Sequence, residues 1–234
     1  MRAVLVANVD DVDPGLVGRA LRRRGFAFVE YLREQHDRWP SLDGASLVVS
    51  LGSSWSTYWD DVREPVFAEQ RLMTDAVARG IPVLGICFGA QQLATVLGGD
   101  VSRAPVPEIG WHPVRPIAES AAEVPACMVD GPWMQWHYDR FSVPPGATVL
   151  ADSPAGPQAI RAGKCLGIQF HPEATETIVS LWSRGGGADE LAAAGITPEA
   201  LLSDTRAHQD DAESRCETLI GWFLSDVAQP HMPS

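Results

Sequence analysis

Lysine is almost missing from this chain. Of its 234 residues only Lys164 is a lysine, and arginine supplies the rest of 18 basic side chains. Thirty acidic side chains oppose them, for a formal charge of -12. A surface this acidic repels a phosphate backbone, which excludes nucleic-acid binding by general electrostatics. Long apolar runs are missing too: no stretch approaches the ~20 residues that span a bilayer, so no membrane partner is expected. The opening MRAVLVANVDDVDPG has a short apolar run that ends in three aspartates, without the cleavage site of a signal peptide, and reads as the first strand of a cytoplasmic protein. The four cysteines, Cys87, Cys127, Cys165 and Cys216, show no close paired spacing, so neither a disulfide framework nor a zinc ribbon is indicated. Internal repeats, low-complexity tracts and a P-loop are absent as well.

What is present is ordinary globular material. Apolar residues make up 45% of the chain and charged residues 21%, enough to close one sizeable core. Strand and helix signals alternate through the first hundred residues. Val4, Leu5 and Val6 read as a buried strand; Asp13 then Pro14 reads as a helix N-cap followed by proline at the first helical position, with Gly25 closing that helix. Residues 26–32 and 47–51 are strand candidates, and 64–79 have helical spacing with Gly80 as the stop. Residues 82–87, PVLGIC, form the continuous apolar run of a strand buried on both faces of a parallel sheet. Between 101 and 170, short apolar runs separated by proline and glycine predict meandering strands. From Glu173 onward the pattern is helical, with Gly185, Gly186 and Gly187 as a turn before a later helix over 210–227. That turn follows no strand and is not a phosphate loop. Arg22, Arg23 and Arg24, and the acidic set Asp204, Asp210, Asp211, Glu213 and Glu217, read as solvated helix faces. The whole predicts an α/β fold around a mostly parallel sheet.

Two short segments carry chemistry. Gly85-Ile86-Cys87-Phe88-Gly89 closes the most apolar strand and leads into a helical Ala90-Gln91-Gln92-Leu93. The form Gly-x-nucleophile-x-Gly is a strand-to-helix elbow, which exposes its central side chain at the sheet's carboxyl edge. A cysteine there sits at a helix N-terminus, where free N–H groups and the helix dipole favour the thiolate. A cysteine buried between glycines for packing alone is the bland alternative. The second segment, Gly167-Ile168-Gln169-Phe170-His171-Pro172-Glu173, delivers a histidine and a glutamate two apart on an extended backbone, so both side chains point one way. A carboxylate, an imidazole and a thiol in that order form an orienting acid, a base and a nucleophile. A metal site is the alternative for a His-x-Glu pair, but no second His or Cys stands at ligand spacing.

GICFGAQ and GIQFHPE together resemble the catalytic signature of class I, triad-type glutamine amidotransferase domains. Glu108-Ile109-Gly110-Trp111 and Gln135-Trp136-His137-Tyr138-Asp139 resemble segments of stand-alone members similar to the glutaminase domain of GMP synthase. The resemblance covers roughly residues 1–183, leaving 184–234 as a helical extension packed on the same domain. It implies a flavodoxin-like three-layer α/β sandwich. It further implies that Cys87 attacks the glutamine side-chain amide, His171 shuttles protons and Glu173 orients His171. The amides of Phe88 and Gly52 would form the oxyanion hole, Gln91 would lie along the bound glutamine, and no metal or organic cofactor would be needed. His137 and Asp139 are candidates for contacts to the substrate's α-amino group, with an aromatic-lined structural role for His137 as the alternative. One departure stands out: the family's Gly-Gly-Pro style loop is here Leu51-Gly52-Ser53, which retains only Gly52.

The resemblance leaves the function open between two uses of the same chemistry. The first is a glutaminase that supplies ammonia to a separate synthase. The second is a stand-alone hydrolase of γ-glutamyl amides or peptides, for which Trp55, Trp59, Trp111, Trp133 and Trp136 would line a pocket for a larger apolar leaving group. A catalytically idle regulatory subunit would predict erosion of Cys87, His171 or Glu173, and all three are present. A homodimer is left open.

Overall fold

Apolar runs bounded by turn residues form the strands, and they lie where the alternation of the sequence places them. The computed structural model describes residues 1–228. The strands and helices run β1 (Arg2–Ala7), α1 (Gly15–Arg23), β2 (Ala27–Leu32), β3 (Leu47–Ser50), α2 (Arg63–Ala78), β4 (Val83–Ile86) and α3 (Phe88–Val96). There follow β5 (Val101–Pro113), β6 (Arg115–Pro116), α4 (Ala126–Val129), β7 (Pro132–Phe141), β8 (Thr148–Ser153), β9 (Gly156–Ala162) and β10 (Cys165–Ile168). Three helices follow among the described residues: α5 (Glu176–Trp182), α6 (Gly186–Ala193) and α7 (Pro198–Trp222), the last continuing into a π-helical turn, Phe223–Val227.

The main sheet has eight strands in the order β2-β1-β3-β4-β10-β9-β8-β6. Its first five strands are parallel neighbours and the remaining three add on antiparallel. Strands β3, β4 and β10 are buried at every residue, which is why they read as unbroken apolar runs and not as alternating ones. Helices cover both faces. On one, α1, α4 and α7 seal a core that includes Leu16, Leu21, Trp133, Phe170, Cys216, Leu219 and Phe223. On the other, α2 and α3 pack Met73, Ala76 and Leu93 onto Val4, Val48 and Val83. The meandering middle resolves into the β5–β7 antiparallel ribbon plus the antiparallel edge of the main sheet. No helix among the described residues is long and apolar enough to cross a membrane.

Helix α1 starts one residue later than the capping pattern predicts. Gly15, and not Pro14, is the first helical residue, and Asp13 Oδ1 accepts from its amide at 2.9 Å. The shift follows from a close approach: the Leu16 amide donates to the Glu173 carbonyl at 3.0 Å, and a Cβ on Gly15 would stand 1.9 Å from that oxygen. Helix α7 belongs to the central core through Ala212, Cys216, Leu219 and Ile220. Its acidic face is only partly solvated. Glu213 pairs with Arg19 and Arg23, and Glu217 with Arg23 and Arg24, so the basic face expected of α1 is turned onto α7. Residues 229–234 of the expected extension lie outside the described residues.

One ion pair is fully buried. Arg33, at the end of β2, and Glu69, on α2, have no exposed side-chain surface and meet at 2.8 Å. The same guanidinium donates to Asn8 Oδ1, Ser50 Oγ and the carbonyls of Leu51 and Gly52. It also lies 4.7 Å from the centroid of the Phe88 ring. Removing one member of such a pair strands the other and costs about 3–5 kcal/mol. Arg33→Met is therefore expected to lower the unfolding free energy by about that amount in urea titrations, whereas Arg79→Met, which breaks two exposed pairs, with Asp43 and Asp75, should change it by less than about 1 kcal/mol.

Candidate active site

The two motifs recognised in the sequence end side by side. Strands β4 and β10 are parallel neighbours in register, Gly85 opposite Gly167 and Ile86 opposite Ile168. Both leave the sheet at the same edge, β4 into Cys87 and β10 into His171. Cys87 has φ 51 and ψ -107, and it is the one non-glycine residue with positive φ among those described. Such backbone costs about 1–3 kcal/mol and persists only where the surroundings hold it. Here the Cys87 amide donates to Ile168 O at 2.8 Å and the Gln91 amide to Cys87 O at 3.0 Å. The flanking glycines are sterically required: a Cβ on Gly85 would meet Gly89 O at 2.5 Å, and one on Gly89 would meet Ser50 O at 2.3 Å.

Cys87 opens helix α3, whose first-turn amides, including that of Phe88, have no partner within the helix. Gln169 donates to Cys87 Sγ at 3.4 Å. His171 is buried and its Nδ1 lies 2.7 Å from Glu173 Oε1; its Nε2 is buried without a hydrogen-bond partner. Burial alone would push this imidazole down. The Glu173 carboxylate and the Cys87 sulfur outweigh burial and hold the ring's pKa well above the ordinary histidine value. Gly52 sits against both groups, since a Cβ there would be 3.0 Å from His171 Cε1 and 3.7 Å from Cys87 Cβ. The other thiols are different. Burial pushes Cys127 and Cys165 up to about 11 and raises Cys216 as well, so none of the three offers a ready thiolate.

A cavity of about 790 Å³ opens over this point and includes Gly52, Cys87, Phe88, Gln91, Asp139 and His171 in its lining. At one end Asp139 accepts from Ser56 Oγ and from Tyr58 OH, with Arg103 4.0 Å away. Gln91 backs this end, its Nε2 reaching Asp139 O at 3.4 Å and Gln169 Oε1 at 3.3 Å. His137 also borders the cavity, held by partners on both ring nitrogens. Its Nδ1 faces Asp139 O and its Nε2 faces Gln135 Oε1, each at 3.1 Å, with Glu108 Oε2 at 3.3 Å, so neither nitrogen is free. Burial works against ionising Glu108, but hydrogen bonds from His137 and Ser153 outweigh it and lower that carboxyl's pKa.

The tryptophans need correcting. Trp55, Trp59 and Trp136 line the cavity. Trp133 is instead wholly buried, stacked on Phe170 with centroids 5.0 Å apart. Trp111 packs against His208 and donates to Thr205 on α7. In their place the structure brings Trp182, from the C-terminal end of α5. Its ring lies 4.7 Å from that of His171, and its Nε1 donates to Asp11 Oδ2 at 2.7 Å. Trp136 meets Trp182 edge-on at 6.1 Å and donates to Glu190 Oε2 at 2.6 Å. Gly186 and Gly187, expected as part of a turn, instead open α6 and line the same end; a Cβ on Gly187 would lie 1.8 Å from Trp182 O. Of these residues only Gln169 had a local signal, two positions before His171 and so on the same side of the strand. Asp11, Trp182, Glu190 and the buried Arg33 had none. Among the described residues no group of three or more His, Cys, Asp or Glu side chains could hold a metal ion.

Known proteins resemble this chain in sequence and in fold. The family model described as glutamine amidotransferase class-I matches residues 46–179. A glutamine-hydrolyzing GMP synthase of Aeropyrum pernix is 33% identical over 181 residues, which is 74% of this chain and 33% of that protein. The corresponding protein of Nitrosomonas eutropha is 39% identical over 113 residues, 42% of this chain and 21% of its own length. The chain thus spans a third or less of these relatives. Among solved structures, a glutamine amidotransferase from Thermotoga maritima superimposes with a TM-score of 0.84 at 27% identity, covering 97% of this chain and 99% of that one. One from Methylobacillus flagellatus shares the fold with a TM-score of 0.78 at 24% identity, over 99% and 98% of the two chains. With an elbow cysteine beside a histidine–glutamate pair, on this fold and with these relatives, the chain belongs to the class-I glutamine amidotransferase family.

Proposed function

We propose that this protein hydrolyses the side-chain amide of glutamine through Cys87, and that a separate synthase takes up the ammonia. The observation that carries the reading is the junction of Cys87, in its left-handed elbow at the head of α3, with the buried His171–Glu173 pair. His171, held basic by Glu173, takes the thiol proton, and Cys87 Sγ attacks the amide carbon. Charge then develops on the amide oxygen, beside the free N–H groups of the Phe88 turn and Gly52. His171 returns the proton to the departing nitrogen and ammonia leaves. Water, activated by the same imidazole, cleaves the thioester to glutamate. Asp139, with Arg103 and Tyr58 beside it, is placed to hold the α-amino acid end, and Gln91 lies behind it. Transfer to a synthase draws support from relatives named as glutamine-hydrolyzing GMP synthases, of which this chain matches a third or less.

A second reading, hydrolysis of larger γ-glutamyl amides, is favoured by one observation. A cavity of about 790 Å³ is in the range of drug-sized ligands and has room beyond glutamine on its tryptophan-lined side. The chemistry at Cys87 is unchanged and only the leaving amine differs.

Two outcomes are expected. The purified protein should release glutamate and ammonia from L-glutamine, and Cys87→Ala should lose about 10³-fold or more of that rate while keeping its urea midpoint. Equal rates in the two proteins would end the assignment to Cys87. In Glu173→Gln the imidazole of His171 should titrate at lower pH than in the wild type, followed by its ring NMR signals. Since a raised folded pKa contributes stability below the unfolded value and loses it as pH rises through the folded one, the stability gap between wild type and this variant should be widest below the ordinary histidine range and narrow as pH rises.

A further inference from the structure

The proton path fixes which end of the cavity receives the leaving group. His171 protonates the departing nitrogen, so the leaving amine must emerge on the His171 side of Cys87. The Asp139–Tyr58–Arg103 end, beyond Gln91, is left for the α-amino acid. On the His171 side stand the indoles of Trp182 and Trp136, each donating its N–H to a carboxylate, Asp11 and Glu190. Asp10 and Asp189 line the cavity as well. Among the described residues none of these four acids forms a salt bridge. Arg184 is at the exposed rim and pairs with none of them.

Asp11 shows the effect of these surroundings on its own ionisation. Burial, against the Trp182 hydrogen bond and with Glu173 pushing the same way, raises its pKa to about 6. A partly buried carboxylate beside a second acid, offset in part by the attraction of His171, is a group that a cation would satisfy. The indoles supply the other half of the recognition, since aromatic rings attract ammonium groups, most strongly where water is excluded. The buried Nε2 of His171, without a partner, adjoins the same space.

We propose that the Asp11–Trp182–Trp136–Glu190 end of the cavity is a leaving-amine subsite for γ-glutamyl amides whose amine half carries a second, protonated nitrogen. Mono-γ-glutamyl diamines are the substrate class. The inference rests on Cys87 attacking a γ-glutamyl carbonyl, as above, and names the amine of the second reading. Sγ bonds to the carbonyl carbon, the C–N bond breaks, and the proton held by His171 goes to the departing nitrogen, so the free diamine leaves. Water then adds to the thioester, the S–C bond breaks, and glutamate and the Cys87 thiol are regenerated. No reactant other than water is needed.

The test compares three substrates with the full chain: the mono-γ-glutamyl amide of 1,4-diaminobutane, the γ-glutamyl n-pentylamide in which a methyl replaces the ammonium, and L-glutamine. The diamine derivative should exceed the pentylamide by about tenfold or more in kcat/KM at low salt. This ratio should fall as sodium chloride is raised. Glu190→Gln and Asp11→Asn, which keep an acceptor for each indole N–H, should each lower the ratio severalfold. Because the ratio is taken within one preparation, loss of folded protein does not disturb it. The subsite is overturned if the pentylamide is cleaved as well as the diamine derivative. It is equally overturned if both amides slow by the same factor in the variants, which would assign these carboxylates to the α-ammonium. Turnover of glutamine alone would remove the subsite and leave glutamine hydrolysis standing; turnover of none of the three would remove both.

Discussion

A single guanidinium holds the carboxyl edge of the sheet in place. Arg33 lies on the short segment after β2, yet its donors reach Asn8 beyond β1, Ser50 at the end of β3, the carbonyls of Leu51 and Gly52, and Glu69 on α2. A planar fork with five N–H groups can satisfy that many acceptors in one place, which a lysine cannot. The charge is tolerable in a dry interior because Glu69 neutralises it and carbonyls fill the remaining donors. Its grip on the Gly52 carbonyl matters most for chemistry, because Gly52 is the floor against which both Cys87 and His171 rest. Cys87 and His171 therefore rest against a residue that a buried ion pair holds from behind.

Around that floor the site is assembled from separate parts of the chain. The elbow supplies a thiol under backbone strain, held by neighbours on β10 and α3. The histidine arrives from the next strand, with its carboxylate partner two residues on and the α1 amide anchoring the Glu173 carbonyl. The wall beyond His171 comes from α5, α6 and the β1–α1 loop, tied together by indole–carboxylate bonds that cross most of the sequence, as between Asp11 and Trp182.

That distribution explains what the sequence discloses and what it hides. The parallel core strands are legible because burial on both faces demands continuous apolar runs, and Cys87, His171 and Glu173 are legible because their geometry is set by a few consecutive residues. The glycines around Cys87 are steric necessities, so they appear as a motif. Arg33 is not legible: REQHDR looks like any polar turn until α2 places Glu69 over it. The tryptophans show the same limit. Alternation along β7 puts Trp133 and Trp136, three residues apart, on opposite faces, but only the helices packed on the strand decide that Trp133 is sealed under Phe170 and Trp136 lines the cavity. His137 shows it as well: its Nδ1 faces Asp139 O on its own strand, but its Nε2 meets Glu108, which only the pairing of β5 with β7 brings to it.

The seat of α7 has a consequence for how the protein is born. Cys216, Leu219 and Phe223 complete the very core that Leu16, Val17 and Leu21 begin, and the arginines of α1 wait for Glu213 and Glu217 across nearly two hundred residues. A nascent chain emerging from the ribosome can wind α1 and pair β1 with β3 early. It cannot close that face of the sheet until α7 is free of the exit tunnel. Contacts this distant in sequence make for slow closure and leave apolar surface uncovered meanwhile.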